Sequence, residues 1–289
     1  MGKASKIKGD LDDIVELVEI IQILKDVADN KFHTLATRKD RFARFGESFV
    51  EFFRMISLSR VRHPLVSNDN PKTGLVVITS EAGFMGDLNT KIIRAAAAEI
   101  EKTPNCIVIP VGRKGAMKLA PITKGLETKV FEDIQETGLY RVAINLKDYL
   151  FNEVMEGRMG RATVIYPWSK NFMVQKPRLI NLLPCDELLT KQEEFVDNIE
   201  HVIEESDPAD IIEQLSSMWL VCRLYEMLHD TTISEAAAQS QQLESSLQKM
   251  QKQKKGIQMT FQKAKKSDIN KSMREAFTSR MMTGGKRSF

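Results

Sequence analysis

Leu11-Asp-Asp-Ile-Val-Glu-Leu-Val-Glu-Ile-Ile-Gln-Ile-Leu-Lys-Asp-Val-Ala-Asp-Asn-Lys-Phe-His-Thr-Leu35 is the stretch that sets the architecture. Alternate steps of four and three from Ile7 reach Leu11, Ile14, Val18, Ile21, Lys25, Ala28, Phe32, Leu35, Lys39, Phe42, Gly46, Phe49, Phe53 and Ile56. All but Lys25, Lys39 and Gly46 are apolar. A seam that recurs every 3.5 residues belongs to a helix packed along another helix. At about 1.5 Å per residue the seam is roughly 75 Å long, more than a small domain is wide. The helix therefore needs a partner along its length.

The other end of the chain supplies one. All nine prolines fall between Pro64 and Pro208, and proline is strongly disfavoured inside helices. Two proline-free ends thus flank a proline-punctuated middle. Ser206-Asp207-Pro208 reads as a helix start, and Thr283-Gly284-Gly285 as its stop. Ile211, Ile212, Leu215, Trp219 and Cys222 form a strongly apolar first part. A thinner seam follows at Leu243, Leu247, Met250, Ile257, Phe261 and Ala264, interrupted by Lys254 and Gly256. Because the middle must bring the chain back, the two terminal helices are expected to be antiparallel, with Ile14, Val18, Ile21 and Leu24 facing Leu243 to Ile257.

The middle alternates strand and helix. Strands are expected over 74–80, 107–111 and 163–166, and helices over 88–101 and 139–155. The fold class is α/β: a Rossmann-like central βαβ domain with a partly parallel sheet, plus a long antiparallel coiled coil made by the N- and C-terminal helices. The domain boundaries expected are 1–60, 61–206 and 207–289.

Composition narrows the function. The three cysteines, Cys106, Cys185 and Cys222, are too far apart for a zinc or Cys-x-x-Cys site. His33, His63, His201 and His229 lack metal-site spacing, and all four are read as solvated. No nucleophile signature appears, so no catalytic, cofactor-binding or metal-ligating residue is expected. Acidic residues from Asp10 onward argue against a targeting peptide, and no run of about 18 apolar residues is present. Thr79-Ser-Glu-Ala-Gly-Phe-Met-Gly-Asp-Leu-Asn89 joins a strand to a helix, where nucleotide loops lie, but it lacks both G-x-G-x-x-G and Gly-Lys-Ser/Thr. Gly83 and Gly86 are read as turn glycines and Asn89 as a polar cap. Val111-Gly-Arg-Lys-Gly115 is read as a solvated turn.

The ends differ in charge. Residues 240–289 hold twelve lysines and arginines against three acids, whereas the first 35 residues hold seven acids and five lysines. The basic helix has no nucleic-acid reading motif, so a protein partner is expected instead. The acidic patch Asp10, Asp12, Asp13, Glu16 and Glu19 is expected to lie beside Lys249 to Lys266 of the antiparallel partner and to help choose the register.

In sum these segments resemble the gamma subunit of F-type ATP synthases over nearly the whole chain. Val76-Val-Ile-Thr-Ser-Glu-Ala-Gly-Phe-Met-Gly-Asp-Leu-Asn89 is similar to V-I-T-S-D-R-G-L-C-G-G-x-N, with His63-Pro-Leu before it. Val111-Gly-Arg-Lys-Gly115 resembles G-x-K-G, and Ile180-Asn-Leu-Leu-Pro184 the end of the family's central domain. Ser234-Glu-Ala-Ala-Ala238 resembles S-E-x-A-A, and Phe261-Gln-Lys-Ala-Lys265 resembles Y-N-K-A-R. There are departures. Glu81-Ala82 replaces Asp-Arg. Glu19-Ile-Ile-Gln-Ile-Leu-Lys-Asp-Val-Ala-Asp-Asn-Lys31 loses basic residues of K-I-T-x-A-M-x-M-V-A-x-x-K. Lys265-Lys-Ser-Asp-Ile-Asn-Lys-Ser272 replaces R-Q-x-x-I-T-x-E.

The resemblance implies a non-catalytic rotor shaft that couples ion flow through the membrane c-ring to ATP synthesis or hydrolysis in the alpha/beta hexamer. The partners implied are the alpha and beta subunits, the epsilon subunit and the c-ring, with no nucleic acid and no cofactor. The location implied is the cytoplasmic side of the cell membrane, held there through partners. It further implies hexamer-bore contacts at Leu24, Lys25, Lys265, Lys266, Asn270 and Glu275, and a structural loop at Gly83, Gly86 and Asn89. A shaft of a paralogous F-type ATPase and a non-rotary coiled-coil scaffold are the alternatives.

Overall fold

The computed structural model describes residues 3–55, 63–132, 136–185 and 207–284. Two helices dominate by length: α1, Lys3–Met55, and α5, Pro208–Gly284. Between them run β1 (Thr73–Ile78), α2 (Leu88–Lys102), β2 (Ile107–Val111), α3 (Arg113–Leu119), α4 (Leu139–Met155), β3 (Arg161–Asn171) and β4 (Val174–Leu183). The chain divides into two compact units, Met1–Val27 with Ser240–Phe289, and Ala28–Gln239. Both α1 and α5 contribute a stretch to each.

The unit Ala28–Gln239 is built on a mixed sheet of order β2-β1-β3-β4. β1 pairs parallel with β2 and with β3, and β4 closes the edge antiparallel to β3. Leu75, Val76, Val77 and Ile78 form an unbroken apolar run, as a strand covered on both faces requires. Val76 and Ile78 point to one face, where Leu139, Val142, Leu146 and Leu150 of α4 and Trp219, Leu220, Leu224 and Leu228 of α5 cover them. Leu75 and Val77 point to the other, beneath Ile92, Ala96 and Ile100 of α2 and Leu119 of α3. This is the Rossmann-like layer arrangement that the βαβ alternation indicates.

Three local differences from the sequence reading have physical causes. The segment after β2 is not a solvated turn but a short helix, α3, whose Gly115 is buried. A Cβ there would lie 2.1 Å from Thr79 Oγ1, so only glycine allows α3 to close on β1. β3 runs well past residue 166, because its hairpin with β4 pairs out to Asn171. His63 and His229 are buried rather than solvated. Nδ1 of His63 accepts the Leu65 N–H at 3.3 Å, and burial holds the imidazole below its ordinary pKa. His201 lies outside the described residues.

The unit formed by Met1–Val27 and Ser240–Phe289 is an antiparallel helix pair. The Ala4 N–H meets Asp268 Oδ2 at 3.4 Å, and Lys25 Nζ lies 3.6 Å from Glu244 Oε2. Ile7, Leu11, Ile14, Val18 and Ile21 are all withdrawn from solvent, and opposite them Leu243, Leu247 and Ala264 are buried. Gly256 does not interrupt α5. Leu24, expected to face the seam, points outward instead. The four-three step from Ile21 reaches Lys25, whose amine turns to Glu244. The side chains of Phe42, Phe49 and Phe53, and residue Ile56, lie outside the described residues.

Candidate functional site

The 79–89 loop is tied down from three sides. The Ser80 N–H donates to Asn89 Oδ1 at 3.0 Å, and Asn89 Nδ2 donates back to the Ser80 carbonyl at 2.9 Å. Asn89 lies inside the first turn of α2 and closes the loop instead of capping the helix, whose N-cap is Asp87. From α3, Lys114 Nζ donates to the carbonyls of Glu81 and Ala82 at 2.5 and 2.9 Å, while the Lys114 N–H meets Glu81 Oε1 at 3.2 Å. From α5, the Glu235 carboxylate is hydrogen-bonded to Ser80 and also feels Lys31 and Lys114. Burial pushes the Glu235 carboxyl up, and those three partners pull it back.

This arrangement does not make a phosphate cradle. Such a site needs inward N–H groups and an available cation. Here Ser80 and Lys114 commit their N–H groups to side-chain oxygens, and the Lys114 amine is spent on carbonyls. Asp87, paired with Lys91 at 3.0 Å, puts a carboxylate where an anion would approach α2. Gly86 has φ +56°, a left-handed turn position, whereas Gly83 has open space around it. The neighbouring Phe84 adopts φ +59° and is 62% exposed. Among the described residues, no group of three His, Cys, Asp or Glu side chains is placed to hold a metal.

A second cluster, which sequence reading missed, lies on α5 between Met227 and Ser240. The helix there is withdrawn from solvent almost all round, yet it carries His229, Asp230, Thr231, Thr232 and Ser234. Thr231 and Thr232 return their hydroxyls to the helix's own carbonyls, of Met227 and His229. Ser234 Oγ donates to the Pro167 carbonyl of β3 at 3.0 Å. Asp230 Oδ1 accepts from Lys39 Nζ of α1 at 2.7 Å. Burial pushes the Asp230 carboxyl up, while Lys39 and, more weakly, Arg178 pull it down. At the tip of the β3–β4 hairpin, Phe172 packs edge-on against Phe32 of α1, 5.0 Å between centroids, and His33 stacks on it. The available signal was Asp230 three residues after the core residue Met227. A charge on an apolar face calls for a buried partner.

The bore-contact residues that the resemblance singles out all belong to the helix pair, at two levels. Lys25 lies beside Glu244, and its neighbour Leu24 points outward. Lys265, Lys266, Asn270 and Glu275 are exposed farther along α5, Glu275 with Lys271 at 3.9 Å. The expected contact between acidic α1 and basic α5 is not formed. Asp10, Asp12, Asp13, Glu16 and Glu19 are exposed, as are Lys249, Lys252 and Lys255, and no ion pair joins them among the described residues. Helical spacing explains this: with Leu243, Leu247, Ile257 and Ala264 on the seam, Lys252 and Lys255 fall on the far side of α5. Past Asp268, where α1 begins, α5 continues with every described side chain exposed. Ile269, Met273, Phe277 and Met281 line one of its faces at intervals of four.

The family model described as ATP synthase matches residues 3–279. The chain belongs to the ATP synthase family. Within it, the similar proteins are gamma chains. That of Alkaliphilus metalliredigens is 23% identical over 76% of this chain and 76% of its own length. That of Histophilus somni is 24% identical over 86% and 88%. Among solved structures, a chain of the Euglena gracilis mitochondrial ATP synthase OSCP/F1/c-ring assembly superposes with a TM-score of 0.62 at 16% identity, covering 99% of this chain and 96% of that one. A chain of the Tetrahymena thermophila mitochondrial ATP synthase central stalk/c-ring gives 0.61 at 20% identity, covering 78% and 99%. The chain is a divergent gamma subunit, a non-catalytic stalk component of the family.

Proposed function

We infer that this chain is the central shaft of a rotary ATP synthase or ATPase, turning inside an alpha/beta hexamer and resting on a membrane c-ring with an epsilon subunit beside it. Residues 61–206 would form the foot, and 1–60 with 207–289 the shaft. The observation that carries the reading is the end of α5 beyond Asp268. A solitary helix with Ile269, Met273, Phe277 and Met281 in one exposed row and Lys271, Arg274 and Arg280 around them is poorly suited to water. It is well suited to a protein bore that encloses it on all sides. Lys265, Lys266, Asn270 and Glu275 would meet the bore near this end, and Leu24 and Lys25 farther down. Such a subunit is peripheral, held on the cytoplasmic side of the membrane through its partners; no described helix is long and apolar enough to cross one.

The test is reconstitution of the full chain with an alpha/beta hexamer from the same organism. ATP should drive stepwise rotation of a bead fixed to the foot, and removal of residues 269–289 should weaken hexamer binding. The isolated chain should bind no ATP at micromolar concentration by calorimetry. A hexamer whose ATPase activity is indifferent to this chain would overturn the reading and favour a non-rotary scaffold.

A further inference from the structure

Helix α1 is apolar on two faces, and the pairing with α5 uses only one. On the other, Leu17, Ile20, Leu24 and Val27 succeed one another at steps of three, four and three, with Ile23 beside them. They are 46%, 52%, 39%, 59% and, for Ile23, 62% exposed. Isolated surface leucines need no explanation, but a contiguous stripe over three turns marks an interaction surface. A second row runs alongside: Asp12, Glu16, Glu19 and Asp26, at steps of four, three and seven, all exposed. Asp13 continues the line of the stripe one turn before Leu17.

Among the described residues, no ion pair within the unit neutralises this carboxylate row. Lys25 is the one cation of α1 between Asp10 and Val27, and it turns to Glu244. Of the lysines of α5 at the same level, Lys249, Lys252 and Lys255 face away from the seam, and half-buried Lys254, which interrupts the seam, makes no ion pair with these carboxylates among the described residues. An apolar stripe edged by carboxylates is complementary to an amphipathic helix whose apolar face is edged by lysine or arginine. The same row repels nucleic-acid phosphates and anionic lipid headgroups.

We propose that the Leu17–Val27 face of α1 docks a basic amphipathic helix of a surrounding subunit. The proposal rests on the reading of the chain as an enclosed shaft, and it adds the charge and shape of the partner at that level. Apolar contact supplies adhesion, while the carboxylate row selects orientation and rejects acidic partners.

The experiment uses the full chain and two labelled helical peptides of about 18 residues. Both carry a leucine face, edged by lysine in one and by glutamate in the other. Fluorescence anisotropy should show the lysine peptide binding about tenfold more tightly. Ile20→Ser with Ile23→Ser should weaken it about fivefold, and Glu16→Lys with Glu19→Lys should reverse the preference. Circular dichroism should be unchanged, since all four side chains are exposed. Equal affinity for the two peptides overturns the proposal. So does binding that ignores the serine substitutions, since charge alone would then be acting, and so does preferential adsorption to phosphatidylserine vesicles. Peptide selectivity without hexamer-coupled rotation would sink the shaft reading and leave the docking face standing. Rotation without peptide selectivity would do the reverse.

Discussion

Replacing Lys39 with methionine isolates the energetics of the buried pair on α5. The Asp230 side chain retains 4% of its exposure and Lys39 33%, with 2.7 Å between the charged atoms. Removing one partner of a buried pair leaves the other charged and desolvated, which costs about 3–5 kcal/mol when both are fully enclosed. Lys39 is partly wet, so about 2–3 kcal/mol is expected at pH 7.5. Burial raises the Asp230 carboxyl above its unfolded value. A raised acid favours the native state below the usual aspartate range and loses that contribution as pH climbs through the native value. Lys39 limits the loss by pulling the carboxyl down, so Lys39→Met should raise it further. The deficit should then shrink toward about 1 kcal/mol as pH falls and Asp230 takes up a proton, since only a hydrogen bond is then missing. Lys39→Met with Asp230→Asn should recover most of the neutral-pH loss. Urea unfolding followed by Trp168 and Trp219 reads the unit that holds the pair, and Lys39→Met should lower its midpoint by about 1 M. A deficit equal at pH 4 and pH 7.5, or a double variant as weak as Lys39→Met, would refute the argument.

Other substitutions probe the remaining contacts. Gly115→Ala drives a Cβ into Thr79 and should cost about 1–3 kcal/mol, read as a lowered thermal midpoint. Asn89→Ala leaves the Ser80 N–H and carbonyl without their partner and should cost about 2–3 kcal/mol. Hydrogen exchange should speed up across 79–89 while β2 stays protected. Deleting residues 1–27 exposes Leu243, Leu247 and Ala264, so amides from 243 to 264 should lose protection and protease should cut there first. Unchanged protection would mean that α5 does not depend on α1.

What sequence reading recovered and what it missed divide along physical lines. β2 at Ile107–Val111 and α4 at Leu139–Met155 fall where hydrophobic periodicity puts them, because both bury a regular pattern. The α1 seam was legible for the same reason, down to Lys25 and Lys39 as its interruptions. Those two lysines then proved to be the ones that meet Glu244 and Asp230. β4 was illegible: Gln175, Lys176, Pro177 and Arg178 form a polar edge strand, identified only by its partner β3. α3 was hidden by Gly112 and Gly115, residues that usually break a helix and here permit close packing on Thr79. The loop was recognised as a unit, but its fastening was not. Lys114 and Glu235 come from elements 33 and more residues away, and no local pattern announces such a contact. The charge register failed because like-signed residues were counted along the helix without asking which side each one occupies.

The contact between Ala4 and Asp268 spans 264 positions. On a ribosome adding about 5–20 residues per second, the first turns of α1 wait about 13–50 s for the segment that will cover them. During that interval Ile7, Leu11, Ile14 and Val18 have no partner, and the Leu17–Val27 stripe is bare as well. The strands between Thr73 and Leu183 are by then already synthesised. Closure of the helix pair therefore follows synthesis of the whole sheet. A nascent chain stalled before Leu243 would present both apolar faces of α1 to whatever chaperone stands nearest.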